Sequence, residues 1–279
     1  MPFFRPRQPT VDAGFNLVLI TYDSCRYDVL AAAHTPVLDS YARIVPAQTP
    51  ANFTYAAHHA FFAGMLPNAP DDLPYYNRFV RQVVRLGLRA EMTRPALLVV
   101  ESDRNVVAGL RDAGWQTLGT GAMDWFQQRL LVDGFDRFHY TNEGAAAQIA
   151  WLLGALDRRR RFFAFLNFGE THTPFAYPGK PEAAQEDWSP RRMTWPPAEH
   201  GPAGREHPAW ELQRGAAEYL DGQLATLFDG LPGETLVVLC ADHGEAMGED
   251  GYEGHGVNHE TVLTVPLAIF RLDREPLPG

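Results

Sequence analysis

The residues best suited to chemistry lie in three segments far apart in the chain. The densest is Asp242-His243-Gly244-Glu245, followed after a short stretch by Gly254-His255-Gly256-Val257-Asn258-His259. A carboxylate and an imidazole side by side in a turn can converge on one divalent ion, whereas a regular strand would point them to opposite faces. His255 and His259 stand four apart, a spacing that places both imidazoles on one face if the segment is helical. The second segment starts at Thr54 and runs through His58 and His59 to Gly64. Its alanines predict a helix that Thr54 caps and that Gly64, with Pro67 beyond, brings to an end. A hydroxyl there faces the unpaired amides and positive end of the helix, where a phosphate is also stabilised. The third is Asp23. Metal ligation of the Thr54 hydroxyl beside Asp23, Asp242 and His243 would lower its pKa and make an alkoxide nucleophile accessible. Mixed imidazole and carboxylate ligation suits zinc or manganese better than calcium or magnesium, which favour all-oxygen shells.

Three apolar, β-branched or aromatic runs deliver these residues. Residues 16 to 22 stop at Asp23, Thr235 to Cys240 lead into Ala241-Asp242-His243, and Phe162 to Phe168 lead into Gly169-Glu170-Thr171-His172. Each reads as a fully buried parallel strand ending in polar residues. Helical spacing occupies Asn142 to Leu156 and Trp210 to Phe228, the latter stopped by Gly230 and Pro232. Strands alternating with helices predict an α/β fold with a central, mainly parallel β-sheet between helices. Ligands of such sheets bind outside the carboxyl ends of the strands, which would gather Asp23, His172 and Asp242 at one mouth. From Pro174 to Pro208 neither period is present, and this stretch is expected to be a lid over that mouth or a flexible insertion.

Composition narrows the classes. The 279 residues, 46% hydrophobic and 21% charged, fit one globular domain over 1–279 with no need of disulfide staples. The net charge of -10 opposes a nucleic-acid partner, whose binding rests on phosphate neutralisation by Lys and Arg. No apolar run reaches membrane-span or signal-peptide length, so neither membrane nor export is expected. With two distant cysteines, this reads as a cytoplasmic protein. Arg158 to Arg161 read as a solvated helix end, and Arg26 with Asp28 as an ion pair supporting Asp23.

These segments together resemble the alkaline phosphatase superfamily, in its sulfatase-like hydrolase and phosphotransferase branch. Leu17 to Asp28 is similar to the family's first strand and metal-carboxylate turn, Thr54 to Gly64 to its nucleophile helix, and Asp242 to Gly256 to its carboxyl-terminal metal motif. Tyr219 and Asp221 also fit. The resemblance implies that Asp23, Thr54, Asp242 and His243 surround a first metal. It implies that His172 contacts the transferred group or the leaving-group side, with His255 as a second such histidine. Glu170, His172, His255 and His259 are candidates for a second ion, so one or two ions are expected.

The departures from the pattern favour phosphoryl over sulfuryl chemistry. Neither Cys25 nor Cys240 opens the Cys-x-Pro-x-Arg stretch of a formylglycine sulfatase. Threonine stands in that place, with Ala56 where the proline would be and His58 at the arginine position. His58 is therefore expected to hydrogen-bond the phosphate or assist proton transfer, and His59 to pack or face solvent. The expectation is a metal-dependent hydrolase of small-molecule phosphate esters, acting through a phosphothreonine. Its rivals are a phosphotransferase, a sulfate- or phosphonate-ester hydrolase, and a catalytically silent binding protein.

Overall fold

The computed structural model describes residues 14–64, 105–180 and 201–273. Most of the expected lid segment, residues 181–200, and Pro67 lie outside them. The strands are β1 (Asn16–Tyr22), β2 (Val45–Gln48), β3 (Gln116–Gly121), β4 (Arg137–Tyr140), β5 (Phe162–Phe168), β6 (Thr235–Ala241), β7 (Ala246–Met247), β8 (Glu253–Gly254) and β9 (Thr264–Leu272). Seven of them form one sheet in the order β2-β9-β6-β1-β5-β3-β4, with β7 and β8 a separate hairpin. The run β6-β1-β5-β3-β4 is parallel, while β9 is antiparallel to both β6 and β2. This is the mainly parallel sheet between helices that the alternating pattern predicts.

The central strands are buried on both faces, which is why they read as unbroken apolar runs. Alternate residues divide the core. Val18, Ile20 and Tyr22 of β1, with Ala164 and Leu166 of β5, pack with Ile149 and Leu152 of the Ala145–Ala155 helix and Leu220 and Leu224 of the Pro208–Gly230 helix. Leu17 and Leu19, with Phe163 and Phe165, pack on the other face with Tyr55, Ala56 and Phe62 of the Thr54–Ala63 helix. The period-two alternation thus assigns Thr21 and Asn167 to the face that carries Thr54.

Arg158 to Arg161 lie beyond the end of the Ala145–Ala155 helix. Arg158 donates to the carbonyl of Gly230 and Arg160 to that of Gly114, each 3.1 Å away, so they satisfy carbonyls at the ends of two other helices. All four line an open cavity of about 240 Å³ beside Asn16, at the amino edge of the sheet. Among the described residues no helix is long and apolar enough to cross a membrane.

Candidate metal centre and nucleophile

The register of β1 places the centre. Tyr22 pairs with Ala241 on one side and Phe168 on the other, so the next residues, Asp23 and Asp242, emerge from adjacent strands at the same carboxyl end. Strand spacing alone brings their backbones within about 5 Å. Ser24 follows with a left-handed φ of 60°, which turns its amide onto Asp242 Oδ1 at 3.0 Å. The His243 amide donates to the same oxygen at 2.9 Å. Asp242 is thereby held by one oxygen while Oδ2 is buried without a hydrogen-bond partner.

His243 carries its proton on Nδ1, because that atom lies 2.9 Å from the Gly244 carbonyl, which can only accept. Its Nε2 lone pair therefore points at Asp242 Oδ2 at 3.5 Å and Asp23 Oδ1 at 3.9 Å. A lone pair aimed at two carboxylates is repulsive unless a proton or a metal cation lies among them. Asp23, Asp242 and His243, all wholly buried, offer ligand atoms within 4.8 Å of one another. Burial raises the pKa of both carboxyls: Asp23 is pushed up further by Asp242, while Asp242 reaches about 6 against the lowering effect of two amides. Burial and the nearby His255 charge push His243 down to about 3. Two buried acids, an unprotonated imidazole nitrogen and an orphaned carboxylate oxygen are the donor set of a divalent cation.

Thr54 completes the group. The expected N-cap is instead Phe53, in extended conformation, and Thr54 is the first residue of the helix. Its hydroxyl turns to His243 Nε2 at 3.2 Å and to the two Asp23 oxygens at 3.4 and 3.5 Å, rather than capping an amide. The helix ends at Gly64, whose left-handed φ of 64° suits glycine. Asp23, Thr54, Asp242 and His243 are thus brought together from three segments.

His255 reaches the same mouth, its ring centroid 4.4 Å from that of His243 and 5.3 Å from that of His172. Burial would lower the His255 pKa, but the charge and hydrogen bond of Glu245 at 3.0 Å, with Asp23 and Asp242 beyond, push it up to about 9. His172 sets its Nδ1 on the Thr173 carbonyl at 2.6 Å, which leaves Nε2 for the site. His255 Nδ1 likewise serves Glu245, and among the described residues its Nε2 has no hydrogen-bond partner.

Other expected residues go elsewhere. His259 is not on a shared helical face with His255, because the backbone turns at Gly254 and Gly256 with φ near 90°. It caps the short Glu260–Leu263 helix through Thr261 and meets Asp250 at 3.3 Å, so it does not join the cluster. Glu170 accepts from the Ala145 amide at 2.6 Å and so starts a helix, while Asp221 accepts from the amides of Val37 and Leu38. His58 turns inward, onto Thr21 and the Thr54 carbonyl, among the rings of Phe61, Phe62, Phe126 and Phe165. Burial lowers its pKa to about 4, so it is neutral.

The expected Arg26–Asp28 pair is bidentate, at 2.8 and 3.0 Å, and the same guanidinium meets Glu249 at 2.6 Å. Arg26 thereby ties the Asp23 turn to the loop after Glu245. Sequence reasoning missed two residues here, Thr21 and Asn167; their only signal is a polar residue breaking an apolar strand at its penultimate position.

The sulfatase family model matches residues 98–271, more than half of the chain. No curated protein sequence matches. Solved structures of similar fold include the C-terminal periplasmic domain of the phosphoethanolamine transferase EptC from Campylobacter jejuni, at 13% identity over 93% of this chain and 80% of that one, with a TM-score of 0.57. The corresponding domain of EcEptC from Escherichia coli, in complex with Zn, is 15% identical over 92% of this chain and 72% of that one, with a TM-score of 0.55. The phosphonate monoester hydrolase of Agrobacterium radiobacter is 16% identical over 91% and 67%, also with a TM-score of 0.55. The family match and the fold agree: the chain belongs to the sulfatase family, with an alkaline phosphatase/sulfatase-like fold.

Proposed function

We propose that the protein is a metal-dependent hydrolase of small-molecule phosphate esters in which Thr54 is the nucleophile. The observation that carries this reading is the buried Thr54 hydroxyl, 3.2 Å from the unprotonated nitrogen of His243 and within 3.5 Å of the Asp23 carboxylate. Asp23, Asp242, His243 and the Thr54 oxygen would hold a divalent cation, zinc or manganese by donor type. When bound, it would lower the hydroxyl pKa and offset charge on the phosphoryl oxygens.

In this reading Thr54 attacks phosphorus in line and the ester oxygen leaves, forming a phosphothreonine. His255, whose Nδ1 is held by Glu245 at 3.0 Å, donates from its ring to a developing oxyanion. His172 lies beside it on the leaving-group side. Water then cleaves the phosphothreonine. The Zn complex among the structures of similar fold supports the choice of metal, and the phosphonate monoester hydrolase supports ester cleavage.

The test is the Thr54→Ala protein, assayed on nitrophenyl phosphate, bis-nitrophenyl phosphate and nitrophenyl sulfate, with its zinc and manganese measured. The expected result is loss of turnover at unchanged metal content to within the factor lost by one weak ligand. Undiminished phosphatase activity would reject the nucleophile. Transfer is the second reading, because EptC is a transferase of the same fold. A phosphorylated alcohol formed at the expense of inorganic phosphate, when an alcohol is added to the assay, would favour it.

A further inference from the structure

Behind the nucleophile lies a line of polar groups that the proposed reaction does not use. Asn167 of β5 donates through Nδ2 to Asp23 Oδ2 at 3.1 Å and to Thr21 Oγ1 at 3.0 Å. Thr21 Oγ1 lies 3.2 Å from His58 Nε2, and His58 Nδ1 lies 2.7 Å from the carbonyl of Thr54. All three side chains are wholly buried, with 0% exposure, where an unmade hydrogen bond is costly.

The direction of every bond follows from one fixed point. The Thr54 carbonyl only accepts, so the His58 proton is on Nδ1 and Nε2 must accept. Thr21 therefore donates its hydroxyl proton to His58, and its oxygen accepts from Asn167. Asn167 must then present its amide nitrogen, which also gives the Asp23 carboxylate its donor. No member can reverse without leaving two acceptors or two donors face to face. The register supplies the geometry: Thr21 and Asn167 are direct partners in the β1–β5 ladder, on the face that carries the Thr54–Ala63 helix.

We propose that Asn167, Thr21 and His58 are positioning residues that set the peptide unit of Thr54 at a fixed distance from Asp23. The inference rests on the reading of Thr54 as nucleophile. The relay joins the metal carboxylate to the nucleophile's own backbone through wholly buried side chains, and His58 Nδ1 also lies 3.8 Å from Asp242 Oδ2. It assigns His58 a role opposite to that of an acid or base: a neutral ring, held in one tautomer, whose ring cage of phenylalanines keeps water out. In-line attack is sensitive to displacements of this scale, and a misplacement of about 1 Å costs roughly 100-fold.

Two measurements test it. The first needs no turnover: long-range proton–nitrogen NMR correlation of the metal-free protein. The expected signature is a neutral His58 with a slowly exchanging proton on Nδ1 in the native protein, and also in Thr54→Ala, which keeps the carbonyl. A proton on Nε2, or one exchanging freely with solvent, overturns the relay even if Thr54 is the nucleophile.

The second compares His58→Phe, which keeps ring volume but loses both bonds, with His58→Asn, whose amide can still donate to the Thr54 carbonyl, on nitrophenyl phosphate. The expected result is a fall in kcat of roughly 100-fold in His58→Phe with KM and metal content kept. Recovery of most of that loss in His58→Asn is also expected. Equal losses in the two variants, or a change in KM alone, would make His58 a packing residue and overturn the proposal. Native activity that survives Thr54→Ala would instead reject the nucleophile, an outcome the tautomer measurement does not share.

Discussion

Replacing Asp242 by Asn is predicted to stabilise the metal-free protein while abolishing its metal binding. Asp242 is wholly buried, and burial raises its pKa to about 6 from the ordinary aspartate value of 3.8. A carboxyl whose folded pKa lies above its unfolded one binds its proton more tightly in the native state, so the stability it lends is full below about pH 4 and lost as the pH rises through 6. A shift of about two units is worth roughly 3 kcal/mol, which the ionised carboxylate costs the metal-free fold at pH 8. Asn removes that cost without disturbing the turn. Its oxygen can accept the Ser24 and His243 amides that Oδ1 now serves, and its NH₂ takes the place of the unpartnered Oδ2, beside the His243 lone pair at 3.5 Å. At roughly 2 °C per kcal/mol for a domain of this size, Tm in EDTA at pH 8 should rise by about 5 °C. The gain should shrink at pH 5, where the native carboxyl is already protonated, and excess zinc should raise Tm in wild type but not in Asp242→Asn. A variant no more stable than wild type in EDTA at pH 8 refutes the reasoning.

Other expectations follow from single contacts. Arg26→Met leaves Asp28 and Glu249 without their shared cation and should cost about 3 kcal/mol in urea unfolding, whereas Arg26→Lys, which keeps charge but not the bidentate fork, should cost less. Gly244→Ala would drive a Cβ to within 2.1 Å of the Thr261 carbonyl oxygen, so the backbone must shift; the expected outcome is a drop of several °C in Tm and weakened zinc binding by calorimetry. His58, whose folded pKa is lowered to about 4, adds stability that is present above about pH 6.5 and lost as the pH falls toward 4. His58→Phe should therefore flatten the acid limb of the stability curve by up to about 3 kcal/mol, read from urea midpoints between pH 7 and 4.5.

The parts of this arrangement that the sequence reveals are those set by local pattern. Asp23 and Asp242 stand out because each ends an apolar run, and the parallel-strand rule alone sends both to one edge of the sheet. Thr54 is legible as the start of a helix and, through the family resemblance, as a neighbour of Asp23 and His243; local pattern alone reads its hydroxyl as a cap, and the turn away from the backbone depends on where those two residues lie. His259 shows the limit of spacing arguments: four residues mean one face only on a helix, and glycines at 254 and 256 bend this backbone instead. Glu170 and Asp221 look chemically capable because they are carboxylates near strong motifs, yet each satisfies amides at a helix start, a demand that appears only once the helices are placed. Thr21, Asn167 and His58 meet across 37 to 146 residues through strand register and helix docking, and no local period encodes that meeting.

The proposed chemistry needs one cation shared by Asp23, Asp242, His243 and Thr54. Crystals grown with zinc and measured on both sides of its absorption edge locate that ion directly. The prediction is an anomalous peak about 2.0–2.2 Å from oxygens of Asp23 and Asp242 and from His243 Nε2, with the Thr54 hydroxyl completing the shell. A fully occupied peak held elsewhere, with Thr54 turned away from it, would contradict the account.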